Sequence, residues 1–152
     1  DDMTHHRIFL NHHDVSDKIR SEEVSRSTSI LAASQLIRTN LLARQRALAL
    51  APGLVTDGRD MGTVVFPKAS VKFFIVASAQ KRAERRYKQL QVLGVPAKID
   101  DILADLEARD LRDQTRSVAP LKPAHDAHLL DTSEMPIDSV FEHVLAIIKA
   151  KI

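Results

Sequence analysis

Runs of apolar residues change their period along this chain, and the changes predict an alternation of short strands and long helices. Arg7-Ile-Phe-Leu10 reads as a short strand, and Asn11-His-His-Asp14 as a polar turn before Val15. Ser21, followed by Glu22 and Glu23, predicts a helix start, because a hydroxyl cap and early acids complement the helix amino end; that helix runs to about Ala32. Ser34 predicts a second cap, with Leu36, Ile37, Leu41, Leu42 and Leu48 at helical spacing and Pro52-Gly53 closing the helix. Leu54-Val-Thr56 and Val71-Lys-Phe-Phe-Ile-Val76 read as strands, the second nearly continuous in apolar and β-branched residues. A helix from about Ala79 to Leu93 stops at Gly94, and another spans Ile99 to roughly Asp113. Ala127-His-Leu-Leu130 is a short strand. Pro136 opens a last helix striped with Ile137, Val140, Phe141, Val144, Leu145 and Ile148.

Strands alternating with helices argue for an α/β fold with a parallel sheet. Three short strands after residue 50 make that sheet undersized, with exposed edges, which predicts a missing segment on the amino-terminal side. At 152 residues, 44% hydrophobic and 28% charged, the chain has the composition of one folded domain. No long apolar run and no signal-like start is present, so a cytoplasmic protein with no membrane partner is expected. The absence of cysteine excludes disulfides, thiolate metal sites and thiol catalysis. The sequence pI is about 9.1, but the net charge is only +2 and cations are interleaved with acids. Aromatics make up only 4%, so neither a one-signed duplex-binding face nor a stacking platform is visible and no nucleic-acid partner is expected. Seven histidines include His5/His6 and His12/His13 around a predicted hairpin, without acidic companions, and no structural metal is assigned. No Gly-x-Ser-x-Gly elbow occurs.

Three charged clusters carry candidate chemistry. Gly53-Leu-Val-Thr-Asp-Gly-Arg-Asp-Met-Gly-Thr-Val-Val-Phe-Pro67 sets Arg59 and Asp60 between Gly58 and Gly62 after a predicted strand, where ligands of open α/β sheets bind. An Arg fork suits phosphate and an Asp suits an amine or hydroxyl donor; two solvated charges on a turn would read the same. In Glu107-Ala-Arg-Asp-Leu-Arg-Asp-Gln-Thr-Arg116, Arg109, Asp113 and Arg116 share one arc if the helix continues. They form either a phosphate and hydroxyl clamp or an exposed face of weak ion pairs. Lys81-Arg-Ala-Glu-Arg-Arg-Tyr-Lys88 is a solvated face or a mobile arginine lid. Ser29 and Arg38, on consecutive helices, mean nothing singly.

Taken in order, these stretches, with Val15-Ser-Asp-Lys-Ile-Arg-Ser-Glu-Glu-Val24 and Leu42-Ala-Arg-Gln-Arg46, resemble the bacterial-type cytidylate kinases over essentially all 152 residues. The resemblance implies a P-loop NTPase-like three-layer parallel sheet with helices on both faces and a helical nucleoside-monophosphate-binding insertion. Residues 1–50 would be most of that insertion and the helix returning to the core. Residues 51–152 would be the core α/β domain, with an arginine-rich lid at about 79–116. It implies transfer of the γ-phosphoryl of ATP, with Mg2+, to CMP or dCMP by a monomer. Ser29, Arg38 and Asp60 would surround the cytosine. Arg59 and Arg116 would hold the acceptor phosphate, Arg109 and Asp113 the sugar, and Arg85 and Arg86 would be lid arginines acting catalytically beside Arg59 and Arg116. The chain departs from the pattern in lacking the first strand and the Gly-x-x-x-x-Gly-Lys-[Ser/Thr] loop; its four glycines are at 53, 58, 62 and 94. A catalytically incompetent CMP-binding fragment, or a structural remnant, is the alternative reading.

Overall fold

The computed structural model describes residues 7–151, apart from the Arg20 side chain. A minimal hairpin comes first. Strands β1 (Phe9–Leu10) and β2 (His13–Asp14) pair antiparallel, with Phe9 opposite Asp14 and Leu10 opposite His13. Asn11 and His12 turn between them at φ 48° and 67°, a left-handed pair that matches the twist of a tight hairpin. The expected strand at 7–10 is thus real but shorter. His5 and His6 lie outside the described residues.

Helix α1 (Glu22–Leu31) starts as expected: the Ser21 side chain accepts from the Val24 amide at 3.3 Å, with Glu22 and Glu23 in the first turn. Helix α2 (Gln35–Arg46) begins after Ser34, whose side chain makes no cap bond. It ends sooner than Pro52-Gly53 predicts. Leu48 and Ala49 donate to the Gln45 and Arg46 carbonyls, so the chain tightens into i→i+3 turns and leaves the helix there.

Residues 54–56 form no strand, against expectation; Val55 is 98% exposed. An extended segment becomes a strand only when another lies beside it, and among the described residues none does. Instead, the following residues form a wide helical turn, Met61–Val65, that periodicity did not reveal. Its Val65 and Phe66 amides donate to the Asp60 and Met61 carbonyls, an i→i+5 pattern.

The remainder is a crossover unit. Strands β3 (Phe73–Val76) and β4 (His128–Asp131) pair in parallel, with Phe73 opposite His128 and Val76 opposite Asp131. Helices α3 (Ala79–Val92) and α4 (Ile99–Thr115) connect them and pack along each other, as parallel pairing requires a long crossover. Ser78 caps α3 by accepting from the Lys81 amide at 3.2 Å. Gly94, at φ +67°, ends it: Val95 donates back to Leu90 and Gly94 to Gln91, satisfying the last carbonyls. Helix α5 (Ile137–Lys151) closes the described chain. The arrangement is mixed α/β and mostly helical, with a two-stranded parallel sheet in place of the larger one expected.

The core is small. Val65, Ala83, Leu90 and Leu130 are its buried apolar side chains. The chain exposes 11731 Å², whereas compact monomers of 17.0 kDa expose about 7,700 Å². Part of the excess is apolar: Ile75, Leu129, Ile137 and Phe141 are 55%, 70%, 82% and 65% exposed. The stripe predicted for α5 is therefore half-buried only at Val140, Val144, Leu145 and Ile148.

One buried cation ties the sheet to its flanks. Lys72 donates from Nζ to the Pro67 carbonyl at 2.6 Å and to both Asp126 oxygens at 2.9 and 2.8 Å. The Lys72 bond holds the Asp126 carboxyl below its ordinary 3.8. A depressed carboxyl stabilises the fold fully above its unfolded value and loses that contribution as pH falls through its lower folded value. Asp126→Asn is expected to flatten the loss of stability below about pH 4, read from urea midpoints between about pH 3 and 6.

Candidate active site

The expected site residues come from helices α1 to α4 and from two loops, and a buried carboxylate joins several of them. Asp113, near the end of α4, is 2% exposed. Arg59 donates from Nε to its Oδ2 at 2.7 Å, and Ser29 of α1 donates from Oγ to Oδ1 at 3.2 Å. Arg109 Nε lies 3.8 Å from Oδ2, and Arg116 Nη1 lies 3.8 Å from Oδ1. One acid thus faces three guanidiniums and a hydroxyl.

Helical spacing accounts for Arg109 but not for Arg116. Helix α4 ends at Thr115, and Arg116 is extended at φ −61°, ψ 139°. It reaches Asp113 because the following loop folds back. Leu121 donates to the Asp113 carbonyl at 2.7 Å, Ala119 sits at φ 48°, and Arg116 Nε donates to the Ala119 carbonyl at 2.6 Å.

The second carboxylate, Asp60, is 6% exposed and is the residue after Arg59. Its carboxylate pairs with Arg38 of α2, and Arg38 Nη1 also donates to the Ala32 carbonyl at 3.2 Å. The Asp60 carbonyl meanwhile accepts from the Thr63, Val64 and Val65 amides, so one residue caps the wide turn and presents the acid. The glycines around it stand at close approaches. A Cβ on Gly58 would meet the Met61 side chain at 3.0 Å with the backbone at φ +156°, and a Cβ on Gly62 would lie 3.3 Å from Lys72. The Arg59-Asp60 dipeptide therefore links the two acids, each paired with a cation from another element.

Cations outnumber acids here, and their hydrogen bonding is incomplete. Arg109 Nε and Arg116 Nη2 are buried without a hydrogen-bond partner among the described residues. Burial and then the neighbouring Arg59 charge push the Arg109 guanidinium below its ordinary value, against the pull of Asp113. Buried donors normally find partners, so such a surplus suits an anionic ligand with several acceptor oxygens.

Arg85 and Arg86 lie elsewhere. Arg85 donates to the Thr132 carbonyl at the end of β4, and Arg86 pairs with Glu22 of α1, Nε to Oε1 at 2.9 Å. Arg82 of the same basic run pairs with Asp110 of α4. A hollow of about 610 Å³ lies between α1, the α3–α4 turn and α4; of the expected site residues only Arg86 and Arg109 line it.

Sequence reading missed two contributors. Ser25 accepts from Arg109 Nη1 at 2.6 Å, and Arg46 donates to the Val65 and Val64 carbonyls at 2.9 and 3.0 Å. Ser25 stands in a serine-rich helix and carries no signal of its own. Arg46 was visible only as part of Leu42-Ala-Arg-Gln-Arg46. Among the described residues, no group of three or more His, Asp or Glu is placed to hold a metal ion, and no helix is long and apolar enough to cross a membrane.

Fold and site together define a mixed α/β chain with a built arginine–carboxylate cluster suited to a small anion. The family model for cytidylate kinase matches residues 2–150. A cytidylate kinase of Shewanella denitrificans is 53% identical over 146 residues, covering 96% of this chain and 64% of that protein. One from Ralstonia pickettii is 57% identical over 139 residues, 91% of this chain and 60% of its own. A third, from Acinetobacter baumannii, is 55% identical over 135 residues, 89% and 59%. The chain belongs to the cytidylate kinase family. It spans about three-fifths of the length of these curated relatives.

Removing the central acid would leave three guanidiniums facing one another in a site where Asp113 is almost fully enclosed. Asp113→Asn is expected to cost about 3 kcal/mol of stability, as for other broken buried pairs. Denaturant unfolding of the wild type, Arg59→Gln, Asp113→Asn and the double variant would measure it, with the double variant losing less than the sum.

Proposed function

We propose that the protein carrying this sequence is a nucleoside monophosphate kinase that moves the γ-phosphoryl of ATP to CMP or dCMP. The observation that carries the reading is the pairing of Arg38 with Asp60 directly beside the Arg59–Asp113–Arg109–Arg116 cluster, in a chain of this family. Residues 1–50 contribute the acceptor-binding unit and 51–152 the core. The reading keeps a monomeric protein acting on small nucleotides.

Cytosine presents an amine donor beside acceptors. Asp60 accepts from the amine, and Arg38, held by Asp60, donates to the ring acceptors. Ser29, which donates to Asp113 at 3.2 Å, joins Arg38 and Asp60 around the base. Arg109 and Asp113 face the sugar, with the carboxylate accepting from a hydroxyl. Arg59 and Arg116 take the acceptor phosphate, which supplies an oxygen to the buried, unsatisfied Nη2 of Arg116. Arg85 and Arg86 belong to the arginine-rich lid at about 79–116.

Phosphoryl transfer asks little covalent chemistry of a protein. An acceptor phosphate oxygen attacks the γ-phosphorus, the bond to the β-phosphate oxygen breaks, and no enzyme-bound intermediate forms. The residues here orient the acceptor and offset the charge gathering on the transferring group. Both buried acids, Asp60 and Asp113, are held by arginines. No donor-side role is assigned to them.

The full-length kinase should phosphorylate CMP and dCMP in a coupled ADP-release assay, with AMP and UMP far poorer. Asp60→Ala should lower kcat/KM for CMP by about a hundredfold or more, because it strands Arg38 and the cytosine amine together. Equal turnover of AMP and CMP by the parent would refute the assignment of the base.

A further inference from the structure

We propose that Arg46 is a positioning residue for base recognition: its guanidinium fork fixes α2 against the wide turn, and so sets where Arg38 meets Asp60. The inference rests on the assignment of Arg38 and Asp60 to the cytosine.

Helix α2 buries none of its side chains fully, so a packed apolar face does not define its position. The element it packs against is the wide turn Met61–Val65, which starts at Asp60. Two polar ties bridge these elements. The first is the Arg38–Asp60 pair, the base reader itself. The second is Arg46 at the last turn of α2, whose Nε donates to the Val65 carbonyl at 2.9 Å and whose Nη2 donates to the Val64 carbonyl at 3.0 Å. Arg46 thus takes two successive carbonyls at the far end of the turn whose near end is capped by Asp60.

Geometry requires an arginine for this. Two parallel N–H donors on a rigid plane fit two neighbouring carbonyls and fix both distance and direction, which a lysine ammonium cannot do. With one end of α2 fixed in this way, Arg38 meets Asp60 at a set register. Without it, the Arg38–Asp60 pair alone must set the helix, and it must do so while exchanging partners with an incoming base. The cost then falls on acceptor binding and base choice rather than on the phosphoryl step.

The test uses the full-length kinase and the variants Arg46→Ala and Arg46→Lys, with steady-state kinetics for CMP, UMP and ATP and a thermal midpoint for each. Arg46→Ala is expected to raise KM for CMP about tenfold, the scale of losing charge-assisted hydrogen bonds. It should also narrow the preference for CMP over UMP and leave KM for ATP unchanged. Arg46→Lys, which keeps the stem and charge but not the fork, should show a smaller rise and fold like the parent. A lowered thermal midpoint with parental KM and parental CMP preference in both variants would make Arg46 a structural brace and overturn the inference. Should the parent itself fail to phosphorylate CMP, the assignment of the base site falls first, and the role of Arg46 falls with it.

Discussion

The organisation of the site depends on one carboxylate that is almost fully enclosed yet faces three cations. Asp113 gathers Arg59 from the glycine-bounded loop, Arg109 from its own helix and Arg116 from the loop beyond. Enclosing a charge is costly unless it is paired and hydrogen-bonded, and Asp113 meets that condition with donors from separate parts of the chain. The acid therefore acts first as an organiser. It holds guanidiniums close together that would otherwise repel one another, and it leaves some of their donors unspent.

The unspent donors connect stability to binding. A site whose charges cancelled would be more stable empty and poorer at holding a phosphate. Here the cations exceed the acids, and buried nitrogens on Arg109 and Arg116 lack partners within the described residues. Burial, and then the Arg59 charge, push the Arg109 guanidinium down, and the surplus of cations favours a polyoxygen anion as its counterpart. The Arg38–Asp60 pair, which we propose reads the base, follows a different rule. Arg38 and Asp60 are complementary, so they meet each other and can exchange that contact for a base with matching donors and acceptors.

Much of this was legible in the chain. The cap at Ser21, the stop at Gly94 and the crossover helices follow from local chemistry that needs no distant partner, and the apolar run at Phe73–Val76 marks a strand that β4 then pairs. The Arg59-Asp60 loop is marked by its glycines, which stand at close approaches of Met61 and Lys72. Residues 54–56 form no strand because a strand exists only in relation to a neighbouring strand, and their apolar pattern cannot report whether one is there. The wide turn at Met61–Val65 was missed for a related reason. Its i→i+5 bonds leave no periodicity within five residues, and its ends are held by Asp60 and by Arg46 from another helix.

The order of residues alone determined where most of the helices start and stop, which family the chain belongs to, and which charged side chains were available for chemistry. Those follow from periodicity, capping and motif spacing, all of which act over a few residues. Only the tertiary structure decided that Ser29 turns to Asp113, that Arg116 arrives through a folded-back loop, that Ser25 supports Arg109, and that Arg85 and Arg86 engage Thr132 and Glu22. Except for Arg116, whose partners lie three residues away, each is a contact between charged or polar groups far apart in the chain. Burial and geometry set the partner of such a group, and neither is written in the residues on either side of it.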